Sequence, residues 1–302
     1  MKRIYTVCGL YHRVDYDGFT SGAIVKMAYP HADLKGWAHN DPLPDVTGYD
    51  LVILVDITLP KEWMEANASK LIWIDHHVAT IKAIGDLKID GLRQAENCPK
   101  EDEVGACILT WKYFFPDIDI PLHVRYCGSY DIFNKTGKYA DWDETWLYML
   151  HLDQFGPAWD KNGDRSIELV NKSLELIHET KEQTMQRLAE SEHLEFERAQ
   201  REIKLFEERA TEFTYRGYKA YLLDTVGLKP QRPAALMRSH MDKESCIVFQ
   251  KCFITDKGIK MSIRISETCD LVAHEIAAEY GGGGHPKAAG CDMTEEQLSK
   301  LL

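Results

Sequence analysis

Two short apolar runs, Leu51–Val55 (LVILV) and Leu71–Ile74 (LIWI), each end on a carboxylate, Asp56 and Asp75. Apolar runs this unbroken fit strands buried on both faces, and such strands belong to parallel sheets. The flanking sequence alternates in the same sense. Ile4–Leu10 reads as a first strand, Gly18–Ala28 as a helix, and Lys61–Ser69 as another helix. This β-α-β-α order predicts an α/β fold with a doubly wound parallel sheet. Ligands of such sheets collect beyond the carboxyl ends of the strands. Both carboxylates fall at those ends.

With 302 residues the chain is long for one core and comfortable for two domains. From Glu101 to Leu152 the pattern turns helical. Ser166–Thr211 then runs without Gly or Pro, with apolar residues at helical spacing (Leu169, Leu174, Ile177, Met185, Leu188, Leu194). It reads as a helical connector, or as a coiled-coil arm that would make a homodimer. Strands are expected at Tyr218–Leu223, Cys246–Phe253 and Ile259–Ile265, with helices at Arg232–His240 and Asp270–Tyr280. The expected division is 1–165, a connector over 166–211, and a smaller α/β domain over 212–302.

The net charge is −12. Proteins that grip long nucleic acid present a basic face, so the balance argues for a small ligand in a pocket and against a long duplex partner. No run approaches the roughly 18 apolar residues of a membrane helix, and the N-terminus does not read as an export signal. Eight scattered cysteines with no CxxC pair then suggest reduced thiols in the cytoplasm.

Acidic and imidazole side chains gather at the predicted strand ends. His12, Asp15 and Asp17 follow the first strand, Asp56 the second, and Asp75, His76 and His77 the third; Asp131 lies in YCGSYDIF. A carboxylate ending a buried strand is costly unless paired or bound to metal. Singly, Asp15 and Asp17 would serve as helix caps and Asp56 as a turn former. Together they crowd one edge with negative charge, which divalent cations relieve. Oxygen and imidazole donors suit Mn²⁺ or Mg²⁺ better than Zn²⁺. A pair of such ions is the usual device for cleaving a phosphodiester.

Near the C-terminus stands Gly281–Gly290 (GGGGHPKAAG). Its glycines permit positive φ and close backbone approach. Their N–H groups suit an anion nest, with His285 and Lys287 adding donors. Arg264, at a strand end, is a candidate phosphate ligand. Trp37, Trp142, Trp146 and Trp159 either stack bases or pack in the core.

Asp75-His76-His77, preceded by Asp15-Tyr16-Asp17-Gly18 and Asp56 and followed by the glycine loop, resembles the DHH/DHHA1 phosphoesterases from about Ile4 to Cys291. The resemblance implies two divalent ions, often Mn²⁺. His12, Asp15 and Asp56 would hold one, and Asp17, Asp56, His76 and Asp131 the other, with Asp56 bridging. His77 would face the scissile phosphate. Gly282, Gly283, Gly284, His285, Lys287 and Arg264 would hold the far end of the substrate. The His12-x-x-Asp15 spacing departs from the usual pattern. The compact build is most like the nanoRNases, which implies hydrolysis of very short RNA or dinucleotides to nucleoside 5′-monophosphates. The same ligand set would serve a hydrolase of cyclic dinucleotides or of 3′-phosphoadenosine 5′-phosphate, or a nucleotide sensor without turnover.

Overall fold

The computed structural model describes residues 5–39, 41–153, 155, 165–226, 245–256 and 258–302. The chain divides into two compact units, Met1–Glu192 and His193–Leu302.

In the first unit, β1 (Val7–His12), β2 (Asp33–Trp37), β3 (Leu51–Val55) and β4 (Leu71–Ile74) form a wholly parallel sheet in the order β2-β1-β3-β4. Residues of β3 and β4 alternate between two cores. Ile53, Val55, Ile72 and Ile74 face one, while Val52, Leu54, Leu71 and Trp73 face the other. Both faces are covered, which is why the runs carry no polar residue. The chain leaves β1 in one direction for β2 and returns on its other side for β3. The switch point therefore falls between β1 and β3, where a doubly wound sheet opens its crevice.

The first strand starts later than the sequence suggests and reaches His12, so His12 is a strand residue, not part of a turn. Strand β2 was not expected. It is an edge strand bearing Asp33, Lys35 and Gly36, residue types that strands disfavour, and only Trp37 is buried.

Helices α1 (Tyr16–Ala28), α2 (Lys61–Asn67), α3 (Val78–Ile84), α4 (Ala106–Phe114), α5 (Leu122–Asp131), α6 (Trp142–Asp153) and α7 (Ser166–Ile177) complete this unit, and α8 (Lys181–Arg209) runs across the boundary. The segment expected as a connector is thus two helices, and its first half packs with the sheet. Leu169, Val170 and Leu176 join the same core as α1, and the Ser166 hydroxyl lies 2.9 Å from the Tyr11 hydroxyl.

The second unit holds a six-stranded sheet in the order β5-β6-β7-β8-β10-β9: β5 (Ala210–Tyr215), β6 (Tyr218–Asp224), β7 (Cys246–Thr255), β8 (Gly258–Ile265), β9 (Gly283–Gly284) and β10 (Ala288–Met293). Helices α9 (Ala273–Ala278) and α10 (Glu295–Leu301) accompany it. Strand β5 begins where the connector was expected to continue. The helix expected at Arg232–His240 lies outside the described residues.

Glycine is required in the first turn of α1. A β-carbon on Gly18 would sit 2.0 Å from the His12 carbonyl oxygen and 2.7 Å from the His12 β-carbon. Neither is the far end of a flexible side chain, so the backbone of His12 would have to yield. Gly18→Ala should cost about 1–3 kcal/mol, read as a lower urea midpoint at unchanged m-value.

Candidate metal centre

Asp56 follows β3 immediately and takes φ +61, left-handed backbone that Asp tolerates better than most residues. Its N–H still donates to Ile74 O at 3.0 Å, so the residue is fastened to β4 while its side chain turns over the strand ends. The carboxylate is buried and reaches both ways. One oxygen, Oδ2, is 3.4 Å from His12 Nδ1, and the other, Oδ1, is 3.3 Å from His76 Nε2. Asp56 thereby spans the switch point.

Two ligand sets meet at this residue. His12, Asp15 and Asp56 form one, with His12 Nδ1 3.0 Å from Asp15 Oδ2. The other centres on His76 Nε2, which lies 3.3 Å from Asp131 Oδ2 and 3.8 Å from Asp17 Oδ2 in addition to its Asp56 contact. Asp17, His76 and Asp131 form one group, and Asp56 touches it through His76 while also grouping with Asp75, His76 and His77.

Two of these carboxylates also organise helices. Asp15 is the N-cap of α1, accepting from Gly18 N at 3.0 Å. Asp17 accepts from Ala106 N at 2.6 Å and Cys107 N at 2.8 Å, fixing the start of α4 over the sheet edge. Asp131 is the last residue of α5, and α5 is braced to α1 and α6 by His123. The ring of His123 bridges the Thr20 and Tyr148 hydroxyls at 3.0 and 2.9 Å, and burial holds its pKa down to about 3, so it braces as the neutral imidazole. The capping roles that singly would explain Asp15 and Asp17 are real, and they coexist with ligand geometry.

The electrostatics show what the cluster lacks. Burial first, then the charges of Asp56 and Asp131, push the Asp17 carboxyl well above the usual carboxylate range. Burial opposes charge on His76, yet Asp56, Asp131 and Asp17 outweigh it and push it up to about 10. His12 is likewise raised well above its ordinary value, Asp15 and Asp56 prevailing over burial. Protons are held where a cation would balance the carboxylates. His12 Nδ1 and Asp56 Oδ1, both buried, make no hydrogen bond among the described residues. Buried polar atoms left so are expensive, whereas lone pairs converging at these distances are what a divalent ion uses. The donor set fits divalent cations.

Asp75 differs from the other carboxylates. It is fully buried, and its Oδ1 accepts from His76 N (2.7 Å), His77 N (3.1 Å) and His77 Nδ1 (2.8 Å), while Oδ2 accepts from Thr58 Oγ1 at 2.5 Å. Burial would raise its pKa, but the bond from His77 and the neighbouring imidazoles hold it well below the usual range. Asp75 is therefore a positioning residue. It locks His77 with Nδ1 as donor, the arrangement that leaves Nε2 for chemistry. The His77 side chain is 37% exposed, against 3% for His76 and 17% for His12, so it is the most open of these three imidazoles.

Sequence reasoning missed two contributors. Thr58 holds Asp75, and His39 follows β2. The His39 ring lies 6.4 Å from the His12 ring and 5.6 Å from Trp37. Burial and the charges of His12 and His77 lower its pKa. A reading that found β2 would have placed His39 at a strand end like the rest. Arg13 clamps its loop, gripping Asp41 through two bonds of 2.9 Å.

In the second unit the glycine loop is a hairpin and not an open nest. Gly283 and Gly284 pair with Gly290 and Ala289. The N–H groups of Gly281, Gly282 and His285 donate to Ala278, Ala277 and Ala288 carbonyls. Glycine is needed for close approach, since a β-carbon on Gly282 would lie 2.1 Å from Gly290 O. The Lys287 ammonium, expected as a substrate donor, is engaged with the carbonyls of Ser266, Glu267 and Cys269 at 2.7–3.4 Å. Arg264 stands opposite Ala288, on the sheet face away from Met261, Ile263 and Ile265, and His285 is half-buried at the hairpin turn.

Because the pKa values of His12 and His76 are raised above the ordinary imidazole value, a cation taking their nitrogens competes with protons. Affinity for Mn²⁺ should rise with pH between 6 and 8. Calorimetric titration at pH 7 in buffers of different ionisation enthalpy should show net proton release, and a buffer-independent enthalpy would contradict the ligand assignment.

No family model and no curated protein matches the sequence. Among the described residues no helix is long and apolar enough to cross a membrane. Solved structures do match. One is the pGpG-specific phosphodiesterase PggH from Vibrio cholerae, 15% identical, with a TM-score of 0.50 over 98% of this chain and 95% of that one. Another is the DHH domain of a protein described as a member of the s1p family of ribosomal proteins, 13% identical, with a TM-score of 0.62 over 98% and 84%. This chain has the fold of the DHH-domain proteins.

Proposed function

We propose that the protein is a two-metal phosphodiesterase that hydrolyses very short oligoribonucleotides or linear dinucleotides to nucleoside 5′-monophosphates. The observation that carries the reading is the Asp56 carboxylate, one oxygen facing each ligand set across the switch point. The likeness to a phosphodiesterase named for a linear dinucleotide supports the substrate class. The net charge of −12 supports a small substrate over a long one.

Divalent cations, Mn²⁺ in this reading, supply Lewis acidity and lower the pKa of the attacking water. The chain's own residues do the rest. His12, Asp15 and Asp56 hold one ion; Asp17, Asp56, His76 and Asp131 hold the other. Burial disfavours a proton on His77, and so does His76. Asp75 outweighs both, so the His77 pKa is raised above its ordinary value, which favours the proton-donating form. From that state Nε2–H can donate to a phosphate oxygen or to the departing hydroxyl. In the second unit, Arg264 and His285 offer donors for a substrate phosphate.

Incubation of a linear dinucleotide with Mn²⁺ should release mononucleotides, and chelation should stop it. Asp56→Asn and His76→Ala should fall to background with unchanged circular dichroism. His77→Ala should lose about 10²–10⁴-fold in kcat. Activity that persists in Asp56→Asn or in chelator would exclude the metal mechanism. Faster turnover of a cyclic dinucleotide or of 3′-phosphoadenosine 5′-phosphate would redirect the substrate within the same chemistry.

A further inference from the structure

We propose that Tyr130, Phe133 and Trp142 form a base-stacking subsite beside Asp131, which takes one heteroaromatic nucleobase of the substrate. The inference rests on the phosphodiesterase reading above and adds a specificity determinant to it.

The three rings face one another as a set. Tyr130 and Phe133 are stacked with centroids 5.9 Å apart, Tyr130 and Trp142 are nearly parallel (8°) at 6.3 Å, and Phe133 and Trp142 lie 6.0 Å apart. All three are only partly buried. Trp146, nine-tenths and more buried, backs Tyr130 at 6.3 Å and makes the platform rigid from behind. The other tryptophans named as candidate stackers differ: Trp37 is buried, and Trp159 lies outside the described residues.

The connection to the metal edge is covalent and stiff. Tyr130 precedes Asp131, and Phe133 follows it by two residues, so the platform starts within one Cα–Cα step of a proposed metal ligand. Phe133 takes φ +51, a left-handed conformation that a bulky residue rarely adopts. The turn is held by Phe133 N donating to Tyr130 O at 3.1 Å and Asn134 N donating to Ser129 O at 2.9 Å. Asn134 is itself buried, and its Nδ2 donates to Glu103 O at 3.0 Å. The two backbone bonds are the Schellman pattern that ends α5, and they fix the Phe133 ring beside Tyr130. Lys135 sets its ammonium 5.6 Å over the Trp142 ring, a cation at the margin of the platform where a nucleotide's phosphate carries its charge. Every base has a π-face, so stacking of this kind selects nucleotides over other phosphodiesters without selecting a sequence.

The test compares a linear dinucleotide with the two analogues in which one base is replaced by hydrogen. For Phe133→Ala and Trp142→Ala, KM for the dinucleotide should rise between about 5- and 150-fold, the range for one stacked base. Its kcat should change less than about threefold. On one of the two abasic analogues the variants should match the wild type, and Trp142→Phe should restore most of the loss. Equal losses on all three substrates would mean a structural role, and unchanged KM would mean no stacking; either overturns the subsite. If the wild type cleaves none of the three with Mn²⁺, the phosphodiesterase reading fails instead. The subsite is then decided by calorimetric binding of the dinucleotide, which Phe133→Ala must weaken and removal of one base must mimic.

Discussion

The arrangement turns on a buried carboxylate with left-handed backbone at a sheet's switch point. Asp56 is 3% exposed, at the end of a strand covered on both faces. It sits among Asp15, Asp17 and Asp131, and the imidazoles of His12 and His76 lie within ion-pair distance of these carboxylates. Buried anions so arranged repel at low effective dielectric. The fold tolerates them because helix starts and imidazoles share the charge.

Economy follows from that constraint. Asp15 caps α1 and faces His12; Asp17 caps α4 and faces His76. Each carboxylate has two oxygens and about four lone-pair directions, so a cap does not exhaust it. A ligand that is also a cap has its orientation set by a whole helix. Asp75 shows the contrary case. Its oxygens accept four bonds, from His76 N, His77 N, His77 Nδ1 and Thr58 Oγ1, and so hold both imidazoles in place.

Much of this was legible because burial on two faces leaves a strong signal. LVILVD and LIWID could hardly be anything but interior strands, and the polar residues at their ends had to be functional or expensive. Edge strand β2 carried no such signal, so His39 at its end went unseen. The break at His178–Thr180 was also hidden: nothing in a run without Gly or Pro announces that its first half packs on α1. The glycine loop was recognised by composition, but its backbone was not legible. Four glycines are compatible with a nest or with two backbones pressed together, and the pairing of Gly283 and Gly284 with β10 comes only from the structure. The carbonyl contacts of Lys287 were hidden for a related reason, since a lysine beside glycines satisfies backbone carbonyls as readily as phosphate.

The crowding that makes a metal edge is also a cost to the folded chain, and the protonation pattern shows how that cost is met without ions. Asp17 is driven toward its neutral form while His12 and His76 are driven toward their charged forms. Both changes lower the net negative charge of the cluster. Cation binding reverses them, replacing protons with ions of higher charge at the same place. Ligand binding to the folded chain alone then adds its free energy to stability. The residues that prepare the chemistry are, by this logic, the ones whose burial the metals make affordable, and the acidic edge cannot be optimised for one purpose without changing the other.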